Sequence, residues 1–140
     1  MNKLLLIVTI FLHLGVYSQS KNGVVYQFVE QMPEYPGGDV ELMKFVQRTV
    51  VYPSEAIKSN LEGRVIVKFV VNEEGKVDSA VIAKSVAPSL DAEALRVVNL
   101  FDTFKPGRQG GKAVKIYYSI PISFKLSDPK KGKKKGKKDN

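Results

Sequence analysis

There is no cysteine and no tryptophan in these 140 residues, and the single histidine is His13. The missing cysteines exclude disulfide frameworks, thiolate metal sites and cysteine nucleophiles. The near-absence of histidine removes almost every imidazole-based catalytic or zinc-binding design. What remains is ordinary: 44% hydrophobic and 26% charged residues suit one globular domain with tails and a real core.

The formal charge of +8 hints at an anionic partner, so its distribution matters. Residues 1–20 carry only Lys3. Residues 127–140 carry seven lysines, from Lys130 to Lys138, against Asp128 and Asp139, leaving +5. The stretch 21–126 has 14 Lys and Arg against 12 Asp and Glu, leaving +2. Netted in this way, the folded part implies no basic face.

Met1-Asn2-Lys3 opens a short positive region, and Leu4 to Val16 is a 13-residue stretch interrupted only by Thr9, His13 and Gly15. A membrane span needs about 20 apolar residues, so this one is short. Val16 and Ser18 place an aliphatic and a small residue where a signal peptidase reads them. Residues 1–18 are therefore expected to be a cleaved export signal with Gln19 as the new N-terminus, and an uncleaved leader would act as an anchor.

Downstream, Val24, Tyr26 and Phe28 alternate as a strand or extended arm, and residues 19–38 are assigned to that arm. Pro33, Pro36, Gly37 and Gly38 break any regular element. Asp39 is the expected N-cap of a helix to Val50, with Leu42, Phe45, Val46 and Val50 on its apolar face. Tyr52-Pro53 ends it, and a short helix follows over Ser54 to Asn60. From Gly63 the period becomes two: Val65, Val67, Phe69 and Val71 share one face, Arg64, Ile66, Lys68 and Val70 the other. Asn72-Glu73-Glu74-Gly75 is a hairpin turn into Lys76 to Ser85, whose core side is expected to hold Val77, Val81 and Ala83. Ser89 is expected to cap a helix with the stripe Leu90, Ala94, Val97, Val98 and Phe101. Finally Val114, Ile116, Tyr118, Ile120, Ile122, Phe124 and Leu126 alternate as a long, one-side-buried strand. The fold class predicted over 39–126 is α+β, with helices packed on one face of a three-stranded antiparallel sheet. Residues 127–140 are predicted to be a disordered, lysine-rich tail.

Pro121 stands inside the last strand and has no N–H to donate, which marks an edge strand or a bulge. Its missing donor must face outward, so the odd-numbered residues present the open edge. Two readings follow. An extended peptide could add to that edge, or Lys115, Pro121 and Lys125 could protect it from pairing.

The segment Tyr52 to Ile82, YPSEAIKSNLEGRVIVKFVVNEEGKVDSAVI, resembles the C-terminal domain of TonB energy transducers. The likeness continues through Leu90-Asp91, Ala94-Leu95, Phe104-Lys105-Pro106-Gly107, Gly111-Lys112 and Pro121-Ile122-Ser123-Phe124. Val29 to Val46 is similar to a segment that often precedes the domain, so the resemblance covers Val29 to Leu126. It implies a periplasmic module that binds outer-membrane TonB-dependent transporters by pairing the last strand with their TonB-box peptide. It further implies force passed from inner-membrane motor proteins. Carried over by position, Val114, Lys115, Ile116, Tyr117, Tyr118 and Ser119 form the peptide-pairing edge, and Tyr52 and Pro53 lie near the docked partner. The sequence departs from a complete transducer in its spacer, because only a few tens of residues separate Val16 from the domain. Family anchors carry a motor-coupling histidine, and His13 stands in the leader, where a lone histidine is ordinarily incidental.

Other signals are weaker. Gly107 to Lys112 lacks the spacing and the Ser or Thr of a phosphate loop and leads into a strand. Glu73, Glu74, Asp91 and Glu93 fall at a turn and a helix start, where acids are expected for structural reasons. No enzyme, cofactor or metal site is therefore expected. Nucleic acid is not an expected partner behind an export signal, and the tail has no aromatic to stack on bases. The alternative function is a self-associating envelope protein: its edge is closed by its own Val24–Glu30 arm or by a second copy in a homodimer, and its lysine tail holds an anionic envelope polymer.

Overall fold

The structure is a computed structural model that describes residues 23–127; the leader and the lysine run lie outside them. The elements are β1 (Val25–Tyr26), α1 (Gly38–Thr49), α2 (Ser54–Lys58), β2 (Gly63–Val71), β3 (Val77–Lys84), α3 (Pro88–Val98), β4 (Arg108–Gln109), β5 (Lys112–Ala113) and β6 (Lys115–Phe124). The main sheet has the order β1-β6-β2-β3, and β4 and β5 form a separate small hairpin. The α+β class holds, but the sheet has four strands instead of three and is mixed, because β1 joins β6 in parallel. Gln31 and Glu34 continue that attachment by backbone hydrogen bonds with Arg108 and Lys105. Tyr35, also in the arm, is only 4% exposed, so packing runs through the arm rather than stopping at Asp39.

All three helices cover one face. Leu42 and Val46 of α1, Ala56 of α2, and Leu90, Ala94, Val97 and Val98 of α3 share a core with Val65, Val67, Phe69 and Val71 of β2. Ile116, Ile120, Ile122 and Phe124 complete it from β6. Inside it, Tyr35, Phe69, Phe101, Phe104 and Tyr118 form an aromatic cluster of edge-to-face and tilted pairs, with Tyr35 and Phe104 meeting edge-to-face at 5.2 Å between centroids. Such pairs add to plain burial because ring edges meet ring faces of opposite partial charge.

Three local expectations are corrected. Asp39 is not the cap of α1: Gly37 takes that place at φ 83, and Asp39 sits in the first turn, where its charge suits the helix dipole. Ser89 is not the cap of α3: Ala87 is, with Pro88 at the first position, where its absent N–H costs nothing. The core side of β3 is also different. Lys68 pairs with Val81 and Val70 with Asp78, leaving Ser79 and Ala80 opposite Phe69. This bulge, with Ser79 at φ 51, turns Ala80 and Ile82 inward and leaves Val81 54% exposed.

Glu93 ties α3 to the end of α1. It accepts from the Val51 N–H at 2.7 Å and from Arg96, which also donates to the Thr49 carbonyl at 2.9 Å. The hydrogen bonds from Arg96, aided by that from Val51, hold the Glu93 carboxyl below the usual carboxylate range. A carboxyl depressed in the folded state stabilises above its unfolded pKa, and that stability fades as pH falls through the folded value. We therefore expect wild-type stability to decline below about pH 4.3 more steeply than that of Glu93→Gln. Urea midpoints measured across that range check it, and parallel curves would refute it.

Candidate functional site at the outer edge of the last strand

In β6, side chains alternate. Ile116, Ile120, Ile122 and Phe124 are buried, whereas Ser119, Pro121 and Ser123 are exposed on the face without helices. Backbone groups alternate as well. Pro121 stands opposite Ile66 of β2, and its lack of an N–H puts the odd-numbered N–H and C=O groups on the side away from β2. That outer side is occupied at one end only: Val25 is in register with Lys115, and Tyr26 with Ile116. Beyond Ile116, β6 has no strand on its outer side among the described residues.

Where β1 stops, an open groove of about 520 Å³ begins, lined by Gln27, Phe28, Met32, Lys68, Tyr117, Tyr118 and Ser119. Phe28 is 84% exposed at its rim and Met32 is also exposed. The Lys68 ammonium lies 4.0 Å from the centre of the Tyr117 ring, a cation–π contact that braces the exposed face. Tyr118 points the other way, its ring 5.5 Å from Phe69, and its hydroxyl is 3.5 Å from Asp39 Oδ1. Burial, and then the Asp39 charge, push its phenol pKa up. The groove thus joins unpaired backbone to apolar and cationic side chains, a combination that suits an extended peptide. Among the described residues no group of acidic or histidine side chains could hold a metal ion.

The expected site residues divide. Tyr117, Tyr118 and Ser119 come together at the groove, and Lys115 and Ile116 lie under β1. Val114 precedes the strand, donating to the Gly107 carbonyl at 3.0 Å. Tyr52 and Pro53 are elsewhere: the Tyr52 ring packs on Phe124, 5.6 Å between centroids, and its hydroxyl donates to the Leu61 carbonyl. At about 3.4 Å per residue, the other end of β6 at Lys115 is roughly 30 Å from that contact. Gln27, Phe28, Met32 and Lys68 were not anticipated. Phe28 alone left a trace, as the last apolar position of the Val24-Tyr26-Phe28 alternation.

Residues 48–126 match the family model described as the Gram-negative bacterial TonB protein C-terminal. No curated protein matches the chain. Among solved structures, the Helicobacter pylori TonB C-terminal domain, solved in solution by NMR, is 22% identical over 64% of this chain and 80% of that one, with a TM-score of 0.49. The solution structure of the Pseudomonas aeruginosa TonB C-terminal domain is 30% identical over 56% of this chain and 79% of that one, with a TM-score of 0.46. The family match spans more than half of the sequence, and the chain belongs to the TonB C-terminal domain family, a family of non-enzymatic, periplasmic energy-transducer domains.

Proposed function

We propose that this protein is an exported, periplasmic TonB-like module that binds outer-membrane TonB-dependent transporters by strand addition, supporting energy-coupled transport. The observation that carries this reading is the outer edge of β6 from Tyr117 to Ser123, unpaired among the described residues and opening on the Phe28–Met32 groove. Main-chain hydrogen bonds supply affinity in such pairing, and alternate side chains reach pockets beside the edge. Motor proteins of the inner membrane are the partners that would energise it.

A second reading is favoured by one feature, the parallel pairing of β1 on that same edge. Here the arm, or the arm of a second copy, closes β6, and the protein associates with itself in the envelope while its lysine run holds an anionic polymer.

Retention of outer-membrane transporters on the immobilised protein, with displacement by a TonB-box peptide, is the expected result of the first reading. Removing residues 23–26 then exposes Lys115 and Ile116 while keeping Gln27 and Phe28 of the groove, and should tighten peptide binding about fivefold for the one net hydrogen bond gained. If transporters are not retained, or if the deletion instead dissolves a dimer and leaves peptide binding absent, the second reading replaces the first.

A further inference from the structure

We propose that the helix-free face of the sheet is an electrostatic docking surface for a phospholipid membrane bearing anionic headgroups. The near-neutral sum over residues 21–126 conceals it, because alternation sorts charges by face. Arg64 and Lys68 lie at exposed-face positions of β2. The shifted register of β3 sets Lys84 opposite Ile66 on that face, and Lys115 is at an odd position of β6. Arg64, Lys84 and Lys125 meet in one open cavity of about 530 Å³ at the end of the sheet. The ion pairs among the described residues join Lys44 to Glu41, Lys76 to Glu74 and Arg96 to Glu93, so these five cations are not among them. Asp78 and Glu62 are the nearby acids, and a Glu62 oxygen already accepts from the Leu126 N–H.

The shape and the neighbours of this patch favour a membrane over a folded partner. Ile66, Val81 and Pro121 lie between the cations on the same face, giving the mixture of apolar and cationic groups that suits a headgroup layer. The chain leaves the domain at this cationic end, and Lys130 follows five residues after Lys125. Lys68 and Lys115 also border the peptide groove and edge, so the variants below leave both in place and the outcome is distinguishable from that of the transporter reading.

The test is co-sedimentation of the full chain with vesicles of phosphatidylcholine alone or mixed with phosphatidylglycerol. The apolar leader contributes equally to both. We expect tighter binding to the anionic vesicles, the excess being lost on raising salt, since exposed charges are screened over about 8–10 Å. The variant R64Q/K84Q/K125Q should lose roughly ten- to hundredfold in affinity. The variant K44Q/R48Q/K58Q removes the same charge from the helical side and should retain wild-type binding, circular dichroism confirming that both fold. Equal losses in the two variants, equal binding to neutral vesicles, or tighter binding to soluble polyphosphate than to vesicles would each overturn the proposal.

Discussion

Replacing Gly75 by alanine is expected to destabilise the domain by about 3–5 kcal/mol, the range reserved for a steric conflict inside a packed structure. Gly75 closes the β2–β3 turn at φ +82, donating to the Asn72 carbonyl at 2.9 Å while its own carbonyl accepts from the Phe104 N–H at 2.8 Å. A Cβ there would overlap the Phe104 carbonyl oxygen and lie 2.8 Å from its carbon. No rotamer relieves that, because the opposing atoms are backbone. Either the turn or Phe104 must move, and the Phe104 side chain is 2% exposed at the centre of the aromatic cluster.

Positive φ alone costs an ordinary residue about 1–2 kcal/mol. Gly110→Ala isolates that component, since Gly110 has φ +56 and no atom lies within 4 Å of the place its Cβ would take. The expected pattern is a small loss for Gly110→Ala and a melting temperature lowered by roughly 12–40 °C for Gly75→Ala, at about 4–8 °C per kcal/mol for a domain of this size. Thermal unfolding followed by circular dichroism measures both. Similar shifts for the two variants would mean that the turn does not bear on Phe104.

Much of this architecture is legible in the sequence because it repeats locally. The period of two in Val65–Val71 and Ile116–Phe124 and the helical spacing of Leu42, Val46, Leu90, Ala94 and Val98 mark the core faces, and those residues are buried. What escapes depends on partners distant in sequence. The β3 pattern reads as Val77, Val81 and Ala83 until the bulge at Ser79 exchanges its faces, and a serine gives no warning of positive φ. β1 is two residues long and owes its existence to Lys115 and Ile116, some ninety residues away. The groove has the same origin, since Phe28 and Lys68 meet Tyr117 only after β6 lies between the arm and β2. Charge shows the converse failure: every cation of the exposed face is visible in the sequence, but summing over a segment discards the alternation that gathers them. The open edge itself rests on Pro121, one residue whose chemistry fixes which way the neighbouring N–H groups point.

That polarity leads to the sharpest test of the transporter reading. Ser119→Pro should leave the fold intact and weaken TonB-box peptide binding roughly thirty- to hundredfold, the equivalent of about 2–3 kcal/mol for a lost donor and a displaced register. Ser119 is exposed, opposite Lys68, and two residues from a proline that the strand already accommodates. Its N–H points away from β2, so a pyrrolidine ring removes nothing from the sheet but stands in the path of an incoming strand. Tyr118→Pro cannot serve, because Tyr118 faces Phe69 in the β2 ladder and its ring belongs to the core. Ser119→Ala is the informative partner, keeping the N–H and discarding the hydroxyl, and should bind within about twofold of wild type if the backbone is what the peptide reads. Titration calorimetry on wild type and the two folded variants measures all three affinities. Wild-type binding by a folded Ser119→Pro would remove β6 as the docking edge, whereas an equal loss in Ser119→Ala would replace strand addition by side-chain recognition at the same groove.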